Sequence, residues 1–262
     1  MTGQVAALYR HPVKGFTPER LDSADLVAGG FFPCDRLYAV ENGPSGFDPE
    51  APAFVAKTAF TVLATMAEVA RVKTSYDDAS AVLTVEAQGR QGLHVCLAEE
   101  TGRVDLAAWL ADFLGEAATG PLKVVSGPGH RFTDHPEGHV SIINLASVRD
   151  LEQRIGRPVD PLRFRANLYV EGWPAWVENQ AVGASVGVGD VQADVFKPIV
   201  RCAAPGVDPT TGERDMEITK ALFDHYGHML CGVYVKVTKG GRVAEGDPAK
   251  LHAPSQATAT RA

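Results

Sequence analysis

Phe196-Lys197-Pro198-Ile199-Val200-Arg201-Cys202-Ala203-Ala204-Pro205-Gly206-Val207-Asp208-Pro209-Thr210-Thr211-Gly212 sets one cysteine behind a basic residue at the end of an apolar, strand-like run. A thiolate attacks electrophiles and binds soft metals, and an adjacent guanidinium favours it over the thiol. Cys202, next to Arg201, therefore suits a metal ligand or a nucleophile. A buried apolar cysteine is the structural alternative, and spacing alone leaves both open.

Outward from this stretch, the chain reads as short strands broken by turns. Gln4–Tyr9 is a strand that Pro12 and Gly15 end in a loop carrying Lys14. Leu21–Leu26, Val62–Val72 and Ala81–Val85 read as further strands, Gly29-Gly30 as a turn before Phe31–Val40, and Ser75–Ala79 as a polar turn. Asp105–Leu114 is the clearest helix: Leu106, Trp109, Leu110, Phe113 and Leu114 repeat on one face, Asp105 stands at a capping position and Gly115 at the end. Ser141–Ile143 reads as a strand and Asn144–Gly156 as a helix started by Ser147 and Asp150. Over 160–170, alternation sets Phe164, Ala166, Leu168 and Val170 on one strand face and Arg163, Arg165, Asn167 and Tyr169 on the other. Gly183–Asp190 reads as turns, Asp215–Tyr226 as a helix and Leu230–Val237 as a strand. Many strands and few helices argue a mainly β fold.

With 262 residues, 45% of them hydrophobic, the chain can bury one large core or two modest ones. The mixed segment 120–135 sets the expected boundary: a β-rich domain over 1–120, a second over 121–252, and a small, polar, disordered tail over 253–262. A net charge of −7 speaks against a sequence-independent grip on nucleic acid. No secretory signal or spanning run is visible, so a cytoplasmic protein without a membrane anchor is expected. Cys34, Cys96, Cys202 and Cys231 are scattered, which fits individual thiols and no zinc or iron–sulfur cluster. His130, His135 and His139 lack the spacing of a metal site.

Arg201-Cys202, Val207-Asp208-Pro209, Thr211-Gly212 and Phe164-Arg165-Ala166-Asn167 together resemble the signature of MOSC domains, with Ala166 in place of a proline. Arg10-His11-Pro12-Val13-Lys14-Gly15 resembles the opening of the MOSC amino-terminal β-barrel domain, with His11 for tyrosine and Gly15 for serine. The Gly29-Gly30 turn and Phe31 to Val40, with Asp35-Arg36, resemble its Gly-x-x-x-Asp-Arg segment followed by a strand. Lys57 stands where relatives often have arginine, Val200 where close relatives have serine, and Ala181 at a tryptophan position. The resemblance is to the branch containing the mitochondrial amidoxime-reducing component and its bacterial relatives.

That resemblance implies a β-barrel MOSC domain after a β-rich amino-terminal domain, with a molybdenum cofactor (molybdenum-molybdopterin) as the resident group. Cys202 carries over as the catalytic residue and molybdenum ligand. Lys14, Gly15, Arg36, Arg165, Asn167, Arg201 and Tyr234 carry over as cofactor-binding, and Gly138 lies near a helix start able to attract an anion. The implied reaction is reduction of N-hydroxylated or other N-oxygenated compounds, with electrons from a separate donor protein. The alternatives are sulfur transfer through a Cys202 persulfide and a non-catalytic cofactor carrier.

Overall fold

The computed structural model describes residues 1–137 and 139–253. Its strands are β1 (Thr2–Arg10), β2 (Glu19–Leu21), β3 (Ser23–Leu26), β4 (Ala39–Asn42), β5 (Lys73–Asp77), β6 (Val82–Glu86), β7 (Leu93–Cys96) and β8 (Leu122–Val125) in the first half. In the second are β9 (Val140–Asn144), β10 (Leu168–Glu171), β11 (Ser185–Val188), β12 (Val191–Val200), β13 (Leu230–Lys239), β14 (Gly241–Ala244) and β15 (Pro248–Leu251). The helices are α1 (Glu100–Leu114), α2 (Leu145–Ile155) and α3 (Ile218–Tyr226). The fold is mainly β with a few helices, as the sequence led us to expect.

Seven strands close into a barrel in the order β1-β10-β9-β13-β12-β11-β15 and back to β1. Closure depends on the first strand. A bulge between Val5 and Ala7 lets β1 pair with β15 at Thr2–Gln4, with β10 across Gln4–Leu8, and with β2 at Leu8–Arg10. The β9–β10 pair is parallel and is joined through α2, the crossover that parallel neighbours require. Val5, Leu8, Ile142, Val170, Val188, Val195 and Val235 fill the interior. Outside, α2 and α3 cover Ile143, Tyr169 and Cys231 with Val148, Leu151, Ile218 and Leu222.

The remaining body is the β5-β6-β7 sheet and the β4–β8 pair packed with α1, around Leu83, Val85, Leu106 and Leu110. Val207, from the loop after Cys202, is buried in this second core. The β3–β14 pair belongs to the barrel side: Ala24, Leu26 and Val243 pack into the barrel core, and Leu21 of β2 packs against it. No helix of the described residues is long and apolar enough to cross a membrane.

Several expected elements differ. The strand expected after Asp35-Arg36 is β4, while Cys34 and Arg36 take left-handed backbone conformations (φ 49° and 51°) that keep the residues ahead of it out of pairing. Val62–Val72 is not a strand but ends in a 3-10 turn over Ala67–Arg71, whose buried Ala67, Val69 and Ala70 pack into the second core. Pro161–Phe164 is also a 3-10 turn, capped by Asp160 accepting from Leu162 N, and Arg165 follows at φ 52°. Arg163 and Arg165 therefore do not share a strand face; the strand starts at Leu168. Helix α1 begins at Glu100, so Asp105 lies inside it. Asn144 caps α2 by accepting from Ala146 N, while Ser147 donates to the buried Glu178 (2.7 Å). Gly183–Asp190 contains strand β11. The expected tail over 253–262 falls outside the described residues beyond Ala253.

Candidate functional site

A cavity of ≈ 240 Å³ opens where the outer face of the barrel meets the loops of the second body. It gathers Lys14, Gly15, Arg36, Arg165, Asn167, Arg201, Cys202 and Tyr234 from segments far apart in the chain. Gly138 lies outside the described residues. Seven lysine and arginine side chains line the cavity against one carboxylate, Asp134.

The loop after β1 is fixed by its backbone. Lys14 N donates to Tyr38 O (2.8 Å), and Gly15 at φ 90° passes so close to Thr61 O that a Cβ would lie 2.3 Å from it. Only glycine allows that approach. The Lys14 ammonium is buried, donates to Phe132 O (2.8 Å) and pairs with Asp134. Burial pulls it below the ordinary lysine value in spite of that carboxylate. Lys57 reaches the other oxygen of Asp134 (3.2 Å) and lies beside Cys202. Burial opposes the Lys57 charge, but Asp134 and Cys202 outweigh it and raise its value. For Asp134 itself, burial is overcome by Lys14 and Lys57, which hold the carboxyl well below the carboxylate range.

Arg36 is anchored at its base and its tip. Its N donates to His11 O (2.7 Å), its guanidinium pairs with buried Asp35, and Nη2 donates to Arg165 O (3.0 Å). Asp35 also accepts from His11 N (2.7 Å). Burial would raise the Asp35 carboxyl; Arg36 and the His11 hydrogen bonds prevail and keep it ionised. His11 is fully buried, and burial with the nearby Arg165 and Arg36 lowers it to about 3, so its ring is neutral near pH 7. Where relatives present a tyrosine, this chain places a neutral ring 3.3 Å from Asp35.

Among the described residues, three guanidinium groups lining the cavity keep a buried nitrogen without a partner: Nη2 of Arg165, Nη2 of Arg201 and Nε of Arg163. Arg201 spends Nε on Cys231 O and Nη1 on Phe164 O (both 2.8 Å), and its buried Nη2 has no partner. Arg165 also has a buried Nη2 without a partner. Burial first, and Arg36 second, push the Arg165 guanidinium from 12.5 down to about 10. A cavity that holds charged donors unsatisfied is built for an anionic guest. Asn167, in contrast, is a clamp: its Oδ1 accepts from Ser141 N (3.0 Å) and Oγ (2.9 Å), and its Nδ2 donates to Tyr9 O (3.3 Å). Tyr234 has its hydroxyl raised by burial.

The loop after Cys202 is a strut. Asp208 Oδ1 accepts from Thr210 N and Thr211 N (2.8 Å each), and its other oxygen meets buried Arg163 (3.2 Å), which also forks onto Asp215 (2.8 and 3.0 Å). The Val-Asp-Pro and Thr-Gly residues thus brace Cys202 without lining the cavity, and Arg163 serves this brace. Ala181 is buried in the barrel interior and forms no cavity wall.

Asp134 carries no sequence signal, since it sits in a segment of mixed glycine, proline and histidine. Lys57 was visible as a basic group but without a role. Both reach the site only because the 3-10 turn Lys57–Ala59 and the loop after β8 fold over the same barrel face.

The MOSC N-terminal beta barrel domain model matches residues 2–119 and the MOSC domain model residues 129–250. Molybdenum cofactor sulfurase from Caenorhabditis elegans is 31% identical over 134 residues, 50% of this chain and 18% of its own. Mitochondrial amidoxime-reducing component 1 from Mus musculus is 30% identical over 122 residues, 42% of this chain and 35% of its own. The chain thus spans well under two thirds of the length of these relatives. Among solved structures, the YUAD protein from Bacillus subtilis superposes with a TM-score of 0.45 at 15% identity, covering 97% of each chain. Matched by both models in order along its length, the chain belongs to the MOSC family, in the group that carries the MOSC N-terminal domain.

Proposed function

We propose that this protein is a molybdenum-cofactor-dependent reductase of N-oxygenated compounds, with Cys202 as the molybdenum ligand. The observation that carries the proposal is a partly exposed thiol at a cavity whose cations outnumber its carboxylates, with Nη2 of both Arg165 and Arg201 lacking partners. That donor set fits an anionic pterin phosphate, and a soft thiolate fits molybdenum. Similarity to molybdenum cofactor sulfurases and to an amidoxime-reducing component supports a function tied to that cofactor.

Arg165, Arg201 and Arg36 would bind the phosphate, and Lys14 and Lys57 would neutralise the remaining charge. The bound group supplies two-electron redox chemistry. Asp134, kept ionised by two lysines, orients those cations and is not a proton donor. Tyr234, whose hydroxyl is raised by burial, keeps its proton and would offer a hydrogen bond to the cofactor. Overall, two electrons and two protons enter, the N–O bond breaks and the oxygen leaves as water. The substrate is a small amidoxime or hydroxylamine, the electrons come from a separate protein, and the setting is cytoplasmic.

Elemental analysis of the protein from a host that makes the cofactor, beside Cys202→Ala, tests this. Near-stoichiometric molybdenum lost in the variant, with amidoxime reduction driven by reduced methyl viologen, is expected. Molybdenum-free protein despite adequate supply overturns the reductase, and a persulfide on Cys202 in that protein would identify sulfur transfer.

A further inference from the structure

A second, larger groove of ≈ 850 Å³ lies away from Cys202, between the β5-β6-β7 body and the Thr210–Thr211 loop. Its charged lining is Arg71, Lys73 and Arg90 against a single acid, Glu86. In a chain of net charge −7 this is a local reversal of sign. Among the described residues neither Arg71 nor Lys73 forms an ion pair, although both are exposed.

The cations are held in place and held apart. Arg71 rests over the Phe113 ring (5.5 Å), which is itself stacked on Trp109. Lys73 donates to Ala70 O (3.2 Å) and Pro209 O (3.3 Å), while Arg90 pairs with Asp112. A phosphate site needs donors that converge on one point; here each cation is turned to its own anchor, Arg71 to Phe113, Lys73 to Ala70 O and Pro209 O, and Arg90 to Asp112. A base would need a free aromatic face, and Phe113 is already engaged. Spaced, preorganised cations fit a row of carboxylates on an extended or surface segment, the complementarity that steers protein association.

The groove is also continuous with the strut behind Cys202. Lys73 holds Pro209, and Gly212 packs on Ala67 O and the Arg71 stem, with a Cβ there lying 2.9 and 3.1 Å from them. In the same loop Asp208 binds Arg163, which lines the Cys202 cavity. We propose that this groove docks an acidic segment of a partner protein, and that the partner is the electron donor. The acidity of the segment follows from the groove alone; its identity as donor rests on the reductase proposal above.

The test uses the full chain and two probes. With a fluorescent ten-residue glutamate peptide, anisotropy should show binding that weakens with added salt. It should fall at least tenfold in the Arg71→Glu, Lys73→Glu double variant and stay unchanged in Lys57→Ala, which alters only the Cys202 cavity. Undiminished binding in the double variant overturns the proposal, as does loss of binding in Lys57→Ala. A thermal melt matching the parent shows that the double variant is folded.

With molybdenum-loaded protein, turnover driven by reduced methyl viologen is the baseline for each protein, because it registers any effect of the double variant on the strut and the Cys202 site. Relative to that baseline, turnover driven by an acidic iron–sulfur ferredoxin should lose at least tenfold in kcat/KM in the double variant, mainly through KM. Equal ferredoxin-driven turnover refutes the donor assignment. Absence of viologen-driven turnover in the parent refutes the reductase instead, and the peptide result still decides the groove.

Discussion

Replacing Arg165 by methionine should make the ligand-free protein more stable. Among the described residues the Arg165 side chain donates no hydrogen bond and its buried Nη2 has no partner, and its value is depressed from 12.5 to about 10. That depression corresponds to at most roughly 3 kcal/mol of penalty on the charged form. Its place at the rim of an open cavity reduces this through solvent screening. Methionine keeps the aliphatic stem and the same left-handed backbone, so the expected gain is about 1–3 kcal/mol. In urea this appears as a higher midpoint at unchanged slope, and in a melt as roughly 2–4 °C per kcal/mol for a chain of this size.

The sign with pH follows from the lowered value of a base. The penalty is complete below the folded value of about 10 and fades as pH rises from there toward 12.5, because the folded state sheds its proton first. The gap between Arg165→Met and parent should therefore narrow above pH about 10. The same variant should lose binding of inorganic pyrophosphate, a probe for the phosphate seat. If Arg165→Met unfolds at lower urea than the parent, or Arg165→Lys gains as much, then unfavourable burial of charge does not describe this residue.

Asp35→Asn should do the reverse, costing about 3–5 kcal/mol by stripping the buried counter-ion from Arg36, read as a lower urea midpoint at pH 7. Because the folded Asp35 carboxyl is depressed, its contribution is whole above pH about 4 and is lost as pH falls further, so parent and variant should converge in acid. Gly15→Ala should cost about 2–3 kcal/mol, since a Cβ would sit 2.3 Å from Thr61 O at φ 90°, and should also weaken pyrophosphate binding through the displaced Lys14. Val200 is 58% exposed on the cavity wall, so Val200→Ser should leave the melting temperature unchanged within about 0.5 kcal/mol and tighten pyrophosphate binding by adding a donor.

The sequence by itself determined the β-rich class, the two helices with clear apolar faces, and the candidates Cys202, Lys14, Arg36, Arg165 and Arg201, which the fold gathers at one cavity. These are local properties: periodicity, residue type and short motifs that persist in any context. Alternation misled at 160–170, because Pro161 and the Asp160 cap favour a 3-10 turn over the strand that the side-chain pattern allowed. It misled again at 62–72, where an apolar run is equally compatible with a buried turn.

Only the tertiary structure decided which charges are spent and which are free. Asn167 and Arg163 look equivalent to Arg165 in the chain, yet one clamps Ser141 and the other commits both terminal nitrogens to Asp208 and Asp215, whereas Arg165 and Arg201 each keep a terminal Nη2 without a partner among the described residues. Asp134 and Lys57 enter the site by long-range docking of loops, and β1 closes a barrel otherwise built from residues 140–251. Such pairings depend on distances between segments 77 to 129 residues apart in the loops of the site and farther still across the barrel seam, and no local spacing encodes them.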